Sequence, residues 1–190
     1  MSEWNNMTDE QLVKLCLQGN ASAQERLYNL FAQKMWTVCL RYMKNEEEAQ
    51  DVLQMGFVKV FKNLHAFNKS GSLDGWVRKI IVNTALDTIR KNKKFENNVQ
   101  WDQVSYQQED VSGNVLNKLA AEDLMELINE LPTGFRTVFN LYAIEGYSHK
   151  EIAEMLGVSE STSKSQYSRA KALLRKIIKE KYADIYCHYE

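Results

Sequence analysis

The stretch Tyr147-Ser148-His149-Lys150-Glu151-Ile152-Ala153-Glu154-Met155-Leu156-Gly157-Val158-Ser159-Glu160-Ser161-Thr162 constrains this chain more than any other. Ser148 stands three residues before Glu151, the spacing of a capping box, in which each side chain satisfies a backbone amide left free at a helix start. Ile152, Ala153 and Leu156 recur at helical spacing and give a short helix one apolar face. Gly157 supplies the turn, Val158 an apolar plug between two helices, and Ser159 a cap for the next one. The whole reads as a helix-turn-helix, a unit whose second helix enters the major groove of duplex DNA.

That second helix carries a fitting surface. At about 100° per residue, Ser163, Tyr167, Ala170, Leu174 and Ile177 form its packing side. Ser161, Lys164, Ser165, Ser168, Arg169 and Ala172 lie opposite, with Thr162 and Lys171 beside them. Small side chains there let the backbone approach a groove floor, and Lys164 and Arg169 reach guanine edges or phosphates. A basic, merely solvated helix is the plainer reading, and the intact capped turn in front of it argues against that.

The rest of the chain also reads as helix. Thr8 caps a first helix with Gln11 completing a capping box, and Gly19 ends it. A second helix runs from about Ala21 to Met43. Asn45 caps a third, whose first turn holds Glu46, Glu47 and Glu48 where the helix dipole favours acid, and which continues to about Leu64. After a loop with Asn68, Ser70 and Gly71, Asp74 caps a fourth helix ending near Lys91 to Lys94. Residues 95–114 are polar and lack periodicity, although Trp101, Val104 and Tyr106 could dock on a surface. Helical spacing resumes at Val115, breaks at Leu131-Pro132, and covers Phe135 to Ile144. The expected fold is all-α, with two small helical domains at 1–94 and 115–190 joined by a polar linker at 95–114.

A net charge of -1 is unusual for a DNA-binding chain. The cations are clustered, however, at Arg90, Lys91, Lys93 and Lys94, and again from Lys164 to Lys181; local patches set attraction to DNA. Three separated cysteines fit a reducing compartment. No apolar run has the length of a membrane span and no leader pattern opens the chain, so a cytoplasmic protein is expected. No metal and no cofactor are expected: Cys187-His188 has no second pair, where a closed zinc site takes about four ligands. His65, His149 and His188 are isolated and no G-x-x-x-x-G-K occurs, so an enzyme is not expected.

Two further faces belong to the first domain. On the third helix, Ala49, Val52, Leu53, Phe57, Val60, Phe61 and Leu64 make a core side, while Asp51, Gln54, Met55, Val58 and Lys62 gather opposite. Met and Val among polar groups suit a protein partner; packing of Met55 and Val58 against a helix of the same domain fits the periodicity equally well. On the fourth, Leu73, Val77, Ile80, Ile81 and Thr84 share a core side, and Trp76, Lys79, Asn83, Asp87 and Arg90 fall within a flank of about 80°. A ring, an amide and cations in a row suit single-stranded nucleic acid. The competing reading packs Trp76 inside and pairs Asp87 with Arg90 on the surface.

Taken in order, these blocks resemble the extracytoplasmic-function sigma factors, small two-domain sigma subunits of bacterial RNA polymerase in the sigma-70 family. The resemblance spans about Asp9 to Lys176. Glu48-Ala49-Gln50-Asp51-Val52-Leu53-Gln54-Met55-Gly56-Phe57 is similar to the polymerase-binding segment of region two. Phe67, with Gly75 to Lys91, is similar to its melting and minus-10 segment. Leu131-Pro132, Phe135 to Phe139 and the turn motif are similar to region four.

The resemblance implies roles. Asp51, Gln54, Met55, Phe57 and Val58 fall to core-polymerase binding, with Phe57 supporting from the core side. Phe67, Asn68, Trp76, Lys79, Asn83, Asp87 and Arg90 fall to minus-10 DNA, the loop from Phe67 to Ser72 capturing a flipped base. Ser161, Thr162, Lys164, Ser165, Ser168, Arg169 and Lys171 fall to minus-35 DNA. The implied partners are core RNA polymerase (the coiled coil of its largest subunit and the flap of its second-largest), promoter DNA, and an anti-sigma factor at the membrane. The chain departs from the family's usual residues at Gly56, where glutamate is common, and at Ser163, Gln166 and Tyr167, where many members carry an aliphatic residue, an arginine and a leucine. A stand-alone helix-turn-helix regulator is the rival reading. It predicts a dimer on a palindromic operator and gives no use to the Asp51 and Trp76 faces.

Overall fold

The computed structural model describes residues 7–68, 71–95 and 121–181. The chain divides into two compact units, Met1–Asn97 and Asn98–Glu190. The linker expected over 95–114 lies outside the described residues except for Phe95, and so do Trp101, Val104, Tyr106, Cys187 and His188.

In the first unit, α1 (Asp9–Leu17), α2 (Ala21–Tyr42) and α3 (Glu46–Asn63) are followed by a 3-10 turn, Leu64–Ala66, and by α4 (Leu73–Phe95). The starts are set by side chains. Gln11 N donates to Thr8 Oγ1 at 3.3 Å while Thr8 N donates to Gln11 Oε1 at 3.0 Å. Ala23 N donates to Asn20 Oδ1, and Glu48 N to Asn45 Oδ1. For α4 the cap is Ser72 and not Asp74: Gly75 N donates to Ser72 Oγ at 3.1 Å. Asp74 sits inside the first turn, where its carboxylate takes Lys34 of α2 at 3.2 Å. A serine two residues upstream of an aspartate offers the same cap chemistry, so sequence alone could not choose between them.

Helices α2, α3 and α4 pack on one another, with α1 against α2. Leu27, Phe31, Met35 and Val38 of α2, Val52, Leu53, Phe57 and Val60 of α3, and Leu73, Val77, Ile81 and Ala85 of α4 are buried in this packing. Burial of each large apolar side chain is worth about 1.5–3 kcal/mol. Two expected core residues, Phe61 and Ile80, are only half-buried, while Val82 and Leu86 are buried beyond the expected stripe. Because α4 packs against both α2 and α3, its apolar face is wider than a single seam.

In the second unit, α5 (Ala121–Asn129) and α6 (Thr133–Phe139) precede α7 (His149–Leu156) and α8 (Glu160–Lys181). Pro132 stands at the start of α6, where its missing N–H costs nothing. That helix begins two residues before the expected Phe135 and ends in a wider π turn, Asn140–Ile144, closed by Glu145 N donating to Asn140 O at 2.9 Å. Leu127, Ile128, Leu131, Phe135, Phe139, Ala170, Leu174 and Ile178 form the core. Ile178, not Ile177, continues the buried row of α8, with Ile177 packed against the core's edge. Gln166, Ala170, Leu174 and Ile178 form an unbroken i, i+4 ridge, the row by which helices interdigitate. Among the described residues, no helix is long and apolar enough to cross a membrane.

Candidate nucleic-acid and partner interfaces

The turn motif of the second unit is built as its residues require. Glu151 N donates to Ser148 Oγ at 3.3 Å, and Ser148 N donates back to Glu151 Oε2 at 2.8 Å. Gly157 ends α7 with φ +67°, a left-handed conformation that glycine adopts without strain. Val158 N then donates to Ala153 O at 3.1 Å. Thr162 N donates to Ser159 Oγ at 3.0 Å, so Ser159 caps α8. Ile152 is fully buried between the helices.

On α8, Ser161, Lys164 and Ser165 are exposed, while Thr162, Ser168, Arg169 and Lys171 are half-buried along the flanks. Lys164 Nζ lies 2.6 Å from Glu160 Oε1 one turn back, and this hydrogen bond holds the Glu160 carboxyl below its ordinary range. Ser165 Oγ donates to Thr162 O, and Lys171 Nζ sits 5.0 Å from the centre of the Tyr167 ring. Ser163 and Gln166 are not on this surface: both face the core, Gln166 being 2% exposed. The departure at Gln166 therefore concerns packing.

Sequence reasoning missed an aromatic cluster behind the turn. The Tyr142 and His149 rings stack at 4.2 Å, and Tyr167 lies 4.5 Å from Tyr142. His149 Nδ1 and Ser163 Oγ share a hydrogen bond of 2.9 Å. Burial, and then the nearby Lys164, push the His149 pKa below its ordinary value. His149 and Ser163 are fourteen positions apart, and no spacing rule pairs them.

In the first unit, the residues expected to meet a partner lie on the exposed side of α3, except Phe57. Asp51 and Gln54 are exposed, and Met55 and Val58 stand uncovered at 43% and 52% exposure. Among the described residues both side chains stay exposed, so the burial against a helix of the same domain that periodicity also allowed is not seen there. Phe57 is 3% exposed, and Tyr28 of α2 caps its ring at a centroid distance of 4.6 Å. Gly56 is also buried: a Cβ there would lie 2.4 Å from Ile81 Cδ1. The glycine marks a close crossing of α3 and α4 and takes no part in the exposed face.

The α4 flank is likewise exposed where expected. Lys79, Asn83 and Arg90 face solvent, and Trp76 and Asp87 are half-buried. Phe67, half-buried at the mouth of the preceding loop, meets the Trp76 ring edge-on at 5.7 Å, while Asn68 beside it is exposed. Residues 69 and 70 of the expected capture loop lie outside the described residues. Asp87 is paired as the competing reading foresaw, with Arg90 Nη1 at 2.8 Å, and also with Lys59 Nζ of α3 at 3.0 Å. Lys59 was not expected here.

Residues 27–95 match the family Sigma-70 region 2, and residues 121–174 match Sigma-70, region 4. The chain is 30% identical over 143 residues to the RNA polymerase sigma factor SigV of Bacillus subtilis, covering 75% of this chain and 83% of that one. It is 24% identical over 184 residues to the ECF RNA polymerase sigma factor SigW of the same species, covering 92% and 98%. Among solved structures, the sigma factor RpoE of Bartonella quintana, crystallised with the anti-sigma factor NepR, aligns with a TM-score of 0.52 at 21% identity, covering 82% of this chain and 96% of that one. At that identity the structural likeness speaks for the fold. The two matched regions fall one in each compact unit and in family order. With the identity to SigV, they show that the chain belongs to the extracytoplasmic-function sigma factors of the sigma-70 family, the promoter-recognition subunits of RNA polymerase.

Proposed function

We propose a division of labour within this promoter-recognition sigma subunit. The first domain, taken as 1–94, docks on core polymerase through Asp51, Gln54, Met55 and Val58, with Phe57 bracing them from below. The same domain holds the melted minus-10 strand on α4: Phe67 and Trp76 offer ring faces, Asn68 and Asn83 offer amides to base edges, and Lys79 and Arg90 meet phosphates. Opening the duplex costs a few kcal/mol per unstacked step, and each base stacked on a ring returns about 1–3 kcal/mol. The second domain, 115–190, lays α8 in the minus-35 major groove, with Ser161, Thr162, Lys164, Ser165, Ser168, Arg169 and Lys171 facing DNA. The linker at 95–114 threads the polymerase.

The observation that carries this reading is the α4 stripe in which half-buried Trp76, edge-on to Phe67, is followed by exposed Lys79, Asn83 and Arg90. A duplex-reading repressor has no use for it. Sigma factors in general are not enzymes, and this chain is proposed to act by binding alone, in the cytoplasm where polymerase and chromosome are. RpoE was solved with the anti-sigma factor NepR, and CnrH with the cytosolic domain of CnrY; an anti-sigma partner is proposed for this chain too.

Run-off transcription with purified core polymerase tests the reading. Adding the chain should produce transcripts from a defined subset of promoters. Transcription no different from that of core polymerase alone would refute it.

A further inference from the structure

The Asp87 carboxylate gathers two cations from two helices. Lys59 Nζ, on α3, lies 3.0 Å from Oδ2, and Arg90 Nη1, on α4, lies 2.8 Å from Oδ1. All three side chains are roughly half-exposed, at 44%, 44% and 48%. Exposed pairs of this kind add little to stability, so holding α3 to α4 is a weak account of the arrangement. The position is more telling. Asp87 stands at the α3-facing edge of the exposed α4 flank, and Arg90 lies one turn on. From Trp76 to Arg90 the flank runs about 21 Å at 1.5 Å per residue, long enough for several nucleotides. Its far end is where Lys59 and Arg90 converge, with a net charge of +1 for the three groups.

We propose that Lys59 is a DNA-backbone residue of this surface and that Asp87 is a positioning residue. With each oxygen committed to a cation, Asp87 holds Lys59 and Arg90 as a pair that straddles a phosphate of the melted strand. The DNA surface then extends from α4 onto α3 and ends one helical turn from Met55 of the proposed polymerase face. This rests on the reading of α4 as the minus-10 surface.

The test uses holoenzyme reconstituted from core polymerase and the full chain at saturation. The probe is a fluorescent promoter fragment, from a promoter the unaltered chain uses, with its minus-10 non-template strand unpaired. Affinity is followed over a salt series. Losing one single-strand phosphate contact lowers the slope of log affinity against log salt by about 0.7 and weakens binding about fourfold at 0.15 M salt. Lys59→Gln should show both changes, and Lys59→Arg should restore both. Asp87→Asn should weaken binding although it removes a negative charge, because Lys59 and Arg90 lose the group that holds them. It should leave the preferred base at every minus-10 position as it was, since a positioning residue reads no base. A Lys59→Gln holoenzyme with unaltered slope would overturn the contact. Binding by Asp87→Asn as tight as that of the unaltered chain, or a changed base preference, would overturn the positioning role. If the unaltered holoenzyme forms no promoter-specific complex, the minus-10 reading itself fails and the inference falls with it, visibly before any variant is compared.

Discussion

Gly56→Ala probes how tightly α3 and α4 are locked, and so how firmly the partner face is held beside the DNA face. Two effects oppose each other. Alanine in a helix interior is favoured over glycine by about 1 kcal/mol. The added Cβ, however, would sit 2.4 Å from Ile81 Cδ1, well inside the roughly 3.5–4.0 Å of a good carbon contact. Ile81 is fully buried, so its Cδ1 must turn aside within the core, and overpacking of this kind costs about 1–3 kcal/mol. The net expectation is a loss of about 0–2 kcal/mol. The sharper quantity is the coupling to Ile81→Val, which removes Cδ1. The next atom of Ile81, Cγ1, lies 3.6 Å from the added Cβ, an ordinary contact. Ile81→Val alone should cost about 0.5–1.5 kcal/mol. The double variant should be close to wild type, giving a favourable coupling of about 1–3 kcal/mol. Urea unfolding of the full chain, read by hydrogen exchange of the α3 and α4 amides, isolates the first unit. A coupling under about 0.5 kcal/mol, or Gly56→Ala gaining its full propensity benefit, would refute the close crossing.

Other outcomes follow from the same geometry. Ser148→Ala removes the hydroxyl half of the α7 capping box and should cost the second unit about 1 kcal/mol, a fall in Tm of about 4–8 °C that calorimetry would show. His149 is held below its ordinary value of 6.5, so the folded unit binds fewer protons than the unfolded one below that pH. Its contribution should be fully present above about pH 6.5 and decline as pH falls through the window below it. Urea titrations at stepped pH should show that decline, and His149→Phe should abolish it. Glu160, with its ordinary value of 4.5 lowered, contributes only to loss at still lower pH. Trp76→Ala should reduce open-complex formation by about 1–3 kcal/mol, roughly 5- to 150-fold, in permanganate footprinting, while leaving minus-35 duplex binding as it was.

Local rules carried much of this architecture. Thr8, Asn45, Ser148 and Ser159 cap the helices that follow them as read, because a cap depends on residues three positions apart. The exposed faces of α3, α4 and α8 also follow from helical period. What the sequence concealed depends on contacts between helices. Gly56 read only as a departure from the family's usual glutamate and is a crossing point, because only the placement of Ile81 reveals it. Gln166 stood where the family often carries arginine, yet it belongs to the i, i+4 ridge of the core. Lys59 and Asp87 are twenty-eight positions apart, and the cluster of Tyr142, His149 and Tyr167 joins three separate segments. Periodicity names the face a residue lies on; it does not name what that face meets.

The division of labour is tested most directly by one pair of variants in one assay. Asp51→Ala and Arg169→Ala are each measured for core-polymerase affinity and for run-off transcription from a promoter that depends on its minus-35 element. Asp51→Ala should lose core affinity, with transcription restored by excess chain. Arg169→Ala should bind core as the unaltered chain does, yet transcribe poorly at any concentration. Loss of core affinity in Arg169→Ala, or full transcription by it, would contradict the assignment of the two surfaces.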